Sequence, residues 1–145
     1  MEARKSKMQE NISLPTAGLI VIQDNKMLLG FSNNKHAWYL PGGKIDIGED
    51  SMQSLQREIL EELNLVLDPT LLTFYCHISA PAYGEKRNVI MEQDCYLYEL
   101  NEEIEPCNEI AAVKFFDYRT YKSEPIQVIG VLKVFEKLIG DRLLH

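Results

Sequence analysis

Between Asp50 and Leu63 the chain contains neither glycine nor proline, whereas Pro41-Gly42-Gly43, shortly before, breaks any regular element. Within the uninterrupted segment Met52, Leu55, Ile59 and Leu63 recur at helical spacing, so the sequence predicts one amphipathic helix with that stripe against a core. Glu49 and Asp50 suit the positive end of such a helix, and Asp50 or Ser51 can cap it. A helix with one apolar face needs a partner layer, and the flanking sequence offers strands.

Apolar and β-branched residues run from Thr16 to Ile22, turn at Gln23-Asp24-Asn25-Lys26 and resume from Met27 to Phe31, which reads as a hairpin. Asn33-Asn34-Lys35-His36 reads as a loop before Trp38-Tyr39-Leu40, and further strand-like runs lie at 71–80, 88–99 and 110–117. From Pro125 to Leu144, the residues Ile126, Ile129, Leu132, Phe135 and Leu138 recur every third position, as in a helix laid on a sheet by one face. Strands and helices mix without regular βαβ alternation, which indicates an α+β chain with a mixed sheet covered by helices. No repeat or linker divides the 145 residues. Residues 1–145 therefore read as a single domain, with 1–12 a polar extension that frays or forms a short helix.

A composition of 46% hydrophobic and 26% charged residues is ordinary for a folded domain and excludes disorder and coiled-coil character. No apolar run is long enough to span a membrane, and the first one, Ala17 to Ile22, is too short and too late for a secretory signal. Cys76, Cys95 and Cys107 are odd in number and form no CxxC pair, so they read as reduced thiols of a cytoplasmic protein, two of them as small buried hydrophobes. The net charge of −7 argues against a sequence-independent grip on nucleic acid. An acidic chain that handles an anionic substrate has to bring a cation.

On the predicted helix Glu58, Glu61 and Glu62 lie at i, i+3 and i+4, so their carboxylates meet on one patch away from the apolar stripe. Like charges so placed repel by a few tenths of a kcal/mol per exposed pair. Two readings stand: a solvated acidic face, or a site where a hard divalent cation reverses the sign. Arg57 beside Glu58 is a fixed charge able to orient a carboxylate, and the glycines at 42 and 43 let backbone approach an ion or a phosphate.

The segment GKIDIGEDSMQSLQREILEELNL resembles the Nudix box, G-x5-E-x7-R-E-U-x-E-E-x-G-U with U aliphatic. Gly43, Glu49, Arg57, Glu58, Ile59, Glu61, Glu62 and Leu65 match it, and Asn64 alone departs, standing where the family has its second glycine. That glycine closes the helix in a left-handed conformation, which asparagine adopts next most readily, at a cost below about 1 kcal/mol. The flanks are similar too: Trp38 to Gly43 as W-x-L-P-G-G, and Glu109 to Asp117 as a glutamate before an apolar strand.

The resemblance implies a Nudix-type α/β/α sandwich with a mixed sheet between helices. It also implies hydrolysis of a nucleoside diphosphate linked to another moiety, with Mg²⁺ or Mn²⁺ as cofactor. By the same analogy Glu58, Glu61, Glu62 and the Gly43 carbonyl hold metal, and Arg57 orients Glu58. Glu49 fixes the loop-to-helix geometry. Glu58, or else Glu61, accepts a proton from the attacking water. Glu109 is either a further metal-associated carboxylate or an exposed loop glutamate. For the substrate, Lys35, Trp38, Tyr83 and Arg87 are candidates, with Phe31 and Tyr75 as further aromatics; core packing and surface solubility are the competing roles. The expected partner is a small nucleotide, with neither nucleic acid nor membrane, and relatives that pair suggest a homodimer. Two alternatives share the fold: a nucleotide-sensing module without turnover, and an RNA 5′-end pyrophosphohydrolase.

Overall fold

A computed structural model describes residues 10–86 and 88–145. Among these residues eight strands form two four-stranded sheets. The first contains β1 (Ile12–Ile20), β5 (Gly42–Lys44), β6 (Thr73–Pro81) and β7 (Val89–Leu97), in the order β5-β1-β7-β6. β1 runs parallel to β7, and the other pairings are antiparallel, so the sheet is mixed as expected. The second contains β2 (Ile22–Gln23), β3 (Lys26–Ser32), β4 (Ala37–Tyr39) and β8 (Ile110–Phe116), with β3 paired to each of the others. Among the described residues three α-helices accompany the sheets: α1 (Ser51–Leu63), α2 (Tyr118–Tyr121) and α3 (Ile129–Gly140).

The core lies on both faces of this framework. Ala17, Leu19 and Leu28 pack with Leu55, Ile59 and Leu63 of α1, while Ile20, Met27 and Leu29 pack with Val131, Phe135 and Leu138 of α3. Neighbouring residues of β1 and β3 thus serve opposite layers, which the period of two in a strand requires. This is the α/β/α layering that the resemblance implies. Leu55, Ile59 and Leu63 are fully buried, and each such side chain contributes about 1.5–3 kcal/mol.

α1 begins at Asp50, whose carboxylate accepts from the Gln53 N–H at 2.8 Å while the Gln53 side chain accepts from the Asp50 N–H at 2.9 Å. It ends at Asn64, which adopts the left-handed conformation at φ 52°. The asparagine therefore does the backbone work expected of the family's glycine.

Three expectations are corrected. The hairpin shrinks to β2 and β3, joined by Asp24 and Asn25 at φ 51° and 62°, while β1 belongs to the other sheet. β1 starts at Ile12 rather than Thr16: Pro15 is tolerated because its missing N–H falls beyond the Thr16–Lys44 end of the β5 pairing, where its carbonyl still accepts from the Ile45 N–H at 3.1 Å. Ile12 is consequently strand, not frayed extension, and residues 1–9 of that extension lie outside the described residues. The last helix starts at Ile129, because Val128 has extended backbone, so Ile126 precedes it. Among the described residues no helix is long and apolar enough to cross a membrane.

Candidate active site

α1 is tied to β5 by two donors on one carbonyl. Ser54 Oγ and Arg57 Nη2 donate to the Lys44 oxygen at 3.0 and 3.1 Å. At this crossing β5 carries two glycines that close contact requires. A Cβ on Gly42, at φ 134°, would collide with the Ala17 carbonyl, and one on Gly43 would run into the Glu58 carboxylate. The bare edge of β5 lets carboxylates of α1 reach past the sheet that the helix packs on.

They reach a cleft of about 420 Å³ between the two sheets. Gly43, Glu58, Glu62 and Glu109 line one end. Leu14, Met91, Tyr39 and Tyr83 line the cleft as well, with Thr16 and Gln93 side by side on β1 and β7. A cleft of this size with few polar groups is the usual form of a small-molecule site.

Arg57 organises the acidic end. Its Nε and Nη2 donate to the two oxygens of Glu49 at 2.7 and 2.9 Å, and its Nη1 donates to Glu58 Oε1 at 3.0 Å. Glu49 also accepts from the Asp46 N–H at 3.0 Å. The guanidinium holds the Glu49 carboxyl down to about 2. Burial pushes the Glu58 carboxyl up, with Arg57 opposing. Glu62 is pushed up to about 8, first by burial and then by Glu58, Glu61 and Glu109, against the Gly42 N–H that donates to it at 3.0 Å.

Among the described residues no three acidic, histidine or cysteine side chains close into a ready-made cage. Arg57 and the Gly42 N–H instead occupy one oxygen each of Glu58 and Glu62. The donor chemistry still fits a hard divalent cation: carboxylate oxygens, two of the groups drawn out of water, and a glycine where a Cβ would block the approach. Carboxylates that raise one another's pKa lose that penalty when a cation lies among them.

Glu109 faces this end from the other sheet, held by Ser32 Oγ at 2.5 Å and the Asn34 N–H at 3.1 Å. Glu61 stands apart on the rim: its side chain is 53% exposed, 3.6 Å from Arg57, and does not line the cleft. Lys35 lines it, with Nζ donating to the Tyr83 carbonyl at 3.0 Å and paired to Glu85 at 3.0 Å. Tyr83 faces Tyr39 at 6.4 Å between ring centroids. Trp38 is not brought to the cleft. Its ring packs edge-on between Phe31 and Phe116, at 5.2 and 5.0 Å, and its neighbour Tyr39 takes the cleft position. Arg87 lies outside the described residues. Sequence reasoning missed Thr16, Ser32, Tyr39 and Gln93; Thr16 shows a signal, as a polar residue among apolar strand neighbours, whereas Gln93, between Glu92 and Asp94, shows none.

A model of the NUDIX domain matches residues 13–135. No curated protein matches the chain by sequence. Among solved structures, the fold is similar to a MutT NUDIX hydrolase from Burkholderia pseudomallei, at 20% identity over 88% of this chain and 98% of that one, with a TM-score of 0.68. It is similar to the MutT protein from Methanosarcina mazei Go1, at 13% identity over 92% and 97%, with a TM-score of 0.75. A third is a bifunctional NMN adenylyltransferase/ADP ribose pyrophosphatase from Francisella tularensis, complexed with AMP and a Mn ion. It is 18% identical over 97% of this chain and 45% of that one, with a TM-score of 0.68. At these identities the likeness is one of fold.

Proposed function

Because the chain belongs to the Nudix family of pyrophosphohydrolases, we propose that it hydrolyses, with Mg²⁺ or Mn²⁺, a nucleoside triphosphate or a small nucleotide diphosphate as a single domain. The observation that carries this reading is the acidic end of the cleft, where Glu58 and Glu62 from α1 face Glu109 across the Gly42–Gly43 backbone. Glu58, Glu62, Glu109 and the Gly43 carbonyl would hold the cation, with Glu61 available from the rim. A bound cation supplies Lewis acidity and offsets the charge of the diphosphate.

Arg57 fixes Glu58 by its bond to Oε1, which leaves Oε2 free to act. Glu58 Oε2 takes a proton from the attacking water, whose oxygen bonds to phosphorus as the bridging P–O bond breaks. The leaving phosphate keeps the electron pair of that bond. Glu49 has no contact with the cleft, and its task is to hold Arg57. The Mn ion and AMP of the Francisella tularensis protein support the choice of cation and of ligand class. The free, buried thiols of Cys76 and Cys95 suit a reducing compartment such as the cytoplasm.

The test is phosphate and pyrophosphate release from nucleoside triphosphates, ADP-ribose, sugar nucleotides and dinucleoside polyphosphates, with Mg²⁺, with Mn²⁺ and with chelator. Metal-dependent turnover of one class is expected. Nucleotide binding without turnover under any of these conditions would replace the enzyme by a sensing module.

A further inference from the structure

Thr16 is 6% exposed, and its hydroxyl has no hydrogen-bond partner among the described residues. A buried unpaired hydroxyl destabilises the fold, so its retention in a strand calls for a reason. It lines the cleft beside Gln93, its register partner on β7, which is 8% exposed. Gln93 lies over Gly18, where a Cβ would come within 3.0 Å of its amide. The Gln93 Oε1 accepts weakly from the Cys95 thiol at 3.7 Å, and the amide nitrogen lies over Gly18 beside Leu40. No partner for that nitrogen is found among the described residues. The floor of the cleft therefore presents two neighbouring polar groups in an apolar setting formed by Leu14, Met91 and Leu40.

Their distance from the acidic end follows from the sheet. Gly43 pairs with Ala17 on β1, next to Thr16, and β7 lies one strand beyond. Gln93 is thus about 10 Å from Gly43, two strand spacings. That separation suits a nucleotide whose phosphates lie over Gly43 and whose base reaches β7. We infer that Thr16 and Gln93 read the hydrogen-bonding edge of the nucleobase, favouring bases with a carbonyl oxygen there (guanine, uracil) over bases with an amino group (adenine, cytosine). With its Oε1 kept by the Cys95 thiol, Gln93 offers its N–H₂, which donates to a carbonyl oxygen but opposes an amino group, and the Thr16 hydroxyl pairs with the adjacent ring nitrogen. The inference rests on the acidic end binding phosphates as proposed above.

The experiment compares kcat/KM for GTP, UTP, ATP and CTP with Mg²⁺ in the wild type, Thr16→Val and Gln93→Leu. GTP and UTP are expected to exceed ATP and CTP by about tenfold, a ratio that falls toward one in Gln93→Leu. Thr16→Val keeps the shape, and should narrow the ratio while raising Tm by about 2 °C or more, since an unpaired hydroxyl is removed. Equal turnover of the four bases by the wild type, an unchanged ratio in both variants, or a lowered Tm for Thr16→Val would overturn the inference. If none of the triphosphates is hydrolysed, the hydrolytic reading of this substrate class fails separately. The base reading is then decided by calorimetric binding of GMP against AMP. A GMP preference that Gln93→Leu abolishes upholds it; equal binding, or none, overturns it.

Discussion

Arg57 grips Glu49 with both prongs of its guanidinium, Nε on one carboxylate oxygen at 2.7 Å and Nη2 on the other at 2.9 Å. The third nitrogen, Nη1, is thereby aimed at Glu58. A lysine supplies charge without the fork. Arg57→Lys should lower kcat by about 10–100-fold, the usual scale for residues that orient a metal-binding group. Steady-state kinetics beside a thermal melt checks this. Wild-type kcat in the lysine variant would mean that Glu58 needs no orienting.

Glu58 and Glu62 are expensive to fold around, since burial raises both carboxyls. Glu58→Gln and Glu62→Gln should each cut kcat by about 10³-fold or more while leaving Tm equal or higher. In the wild type, Mg²⁺ at a hundred times its Kd should stabilise by about 2.7 kcal/mol, or about 5–10 °C, and Glu62→Gln should lose most of that shift. Scanning calorimetry with metal and with chelator separates the two effects, and near-wild-type turnover in both glutamine variants would sink the carboxylate assignment.

Asn64 ends α1 at φ 52°. Asn64→Gly should stay within about 0.5 kcal/mol of the wild type and within a few-fold in activity, whereas Asn64→Ala should cost about 1–2 kcal/mol because a Cβ residue without a polar side chain resists that conformation. Urea denaturation measures both. Equal stability of the two variants would show that the left-handed turn is not what asparagine is there for.

On the outer face of the first sheet His77 lies between two carboxylates, Nδ1 at 2.8 Å from Asp94 and Nε2 at 2.7 Å from Glu92. The bonds to Asp94 and then Glu92 raise its pKa above the ordinary 6.5. A raised folded-state pKa contributes stability fully below about 6.5, and loses it as pH rises through the folded value. The ring is 45% exposed, so the effect is screened. His77→Gln should lower Tm by no more than about 3 °C near pH 5.5 and by less near pH 8.5. Thermal melts at the two pH values give the sign, and a larger loss at the higher pH would contradict it.

What could be read from the sequence divides along the range of the interactions. The helix, its Asp50 cap and its Asn64 exit are encoded within four residues of each terminus, and all three hold in the structure. The pairing of β1 was invisible because its neighbours, β5 and β7, are set by a register that no local pattern specifies; the nearest apolar run suggested a hairpin instead. The acidic end was legible as three glutamates on one helix face, yet only depth in the fold separates Glu58 and Glu62, which line the cleft, from Glu61, which stands on its rim. Trp38 and Tyr39 are adjacent on a three-residue strand and point to opposite sides, and which ring meets the cleft is decided by packing that no local pattern encodes. Thr16 stands out among apolar strand neighbours while Gln93 is hidden in the polar run Glu92-Gln93-Asp94, and which face borders a cavity is decided by the second sheet.

The alternation of β1 carries one more consequence. Ala17 and Leu19 bear the helix that holds the carboxylates, while Thr16, between them and Leu14, faces the ligand space. One strand therefore serves two masters on strict odd and even positions, and a slip of a single residue would exchange them. Point substitutions at Leu14 or Thr16 can retune what the cleft accepts without loosening the carboxylate support, whereas an insertion along β1 would undo both at once. The chain is built so that its preferences can drift while its chemistry stays put.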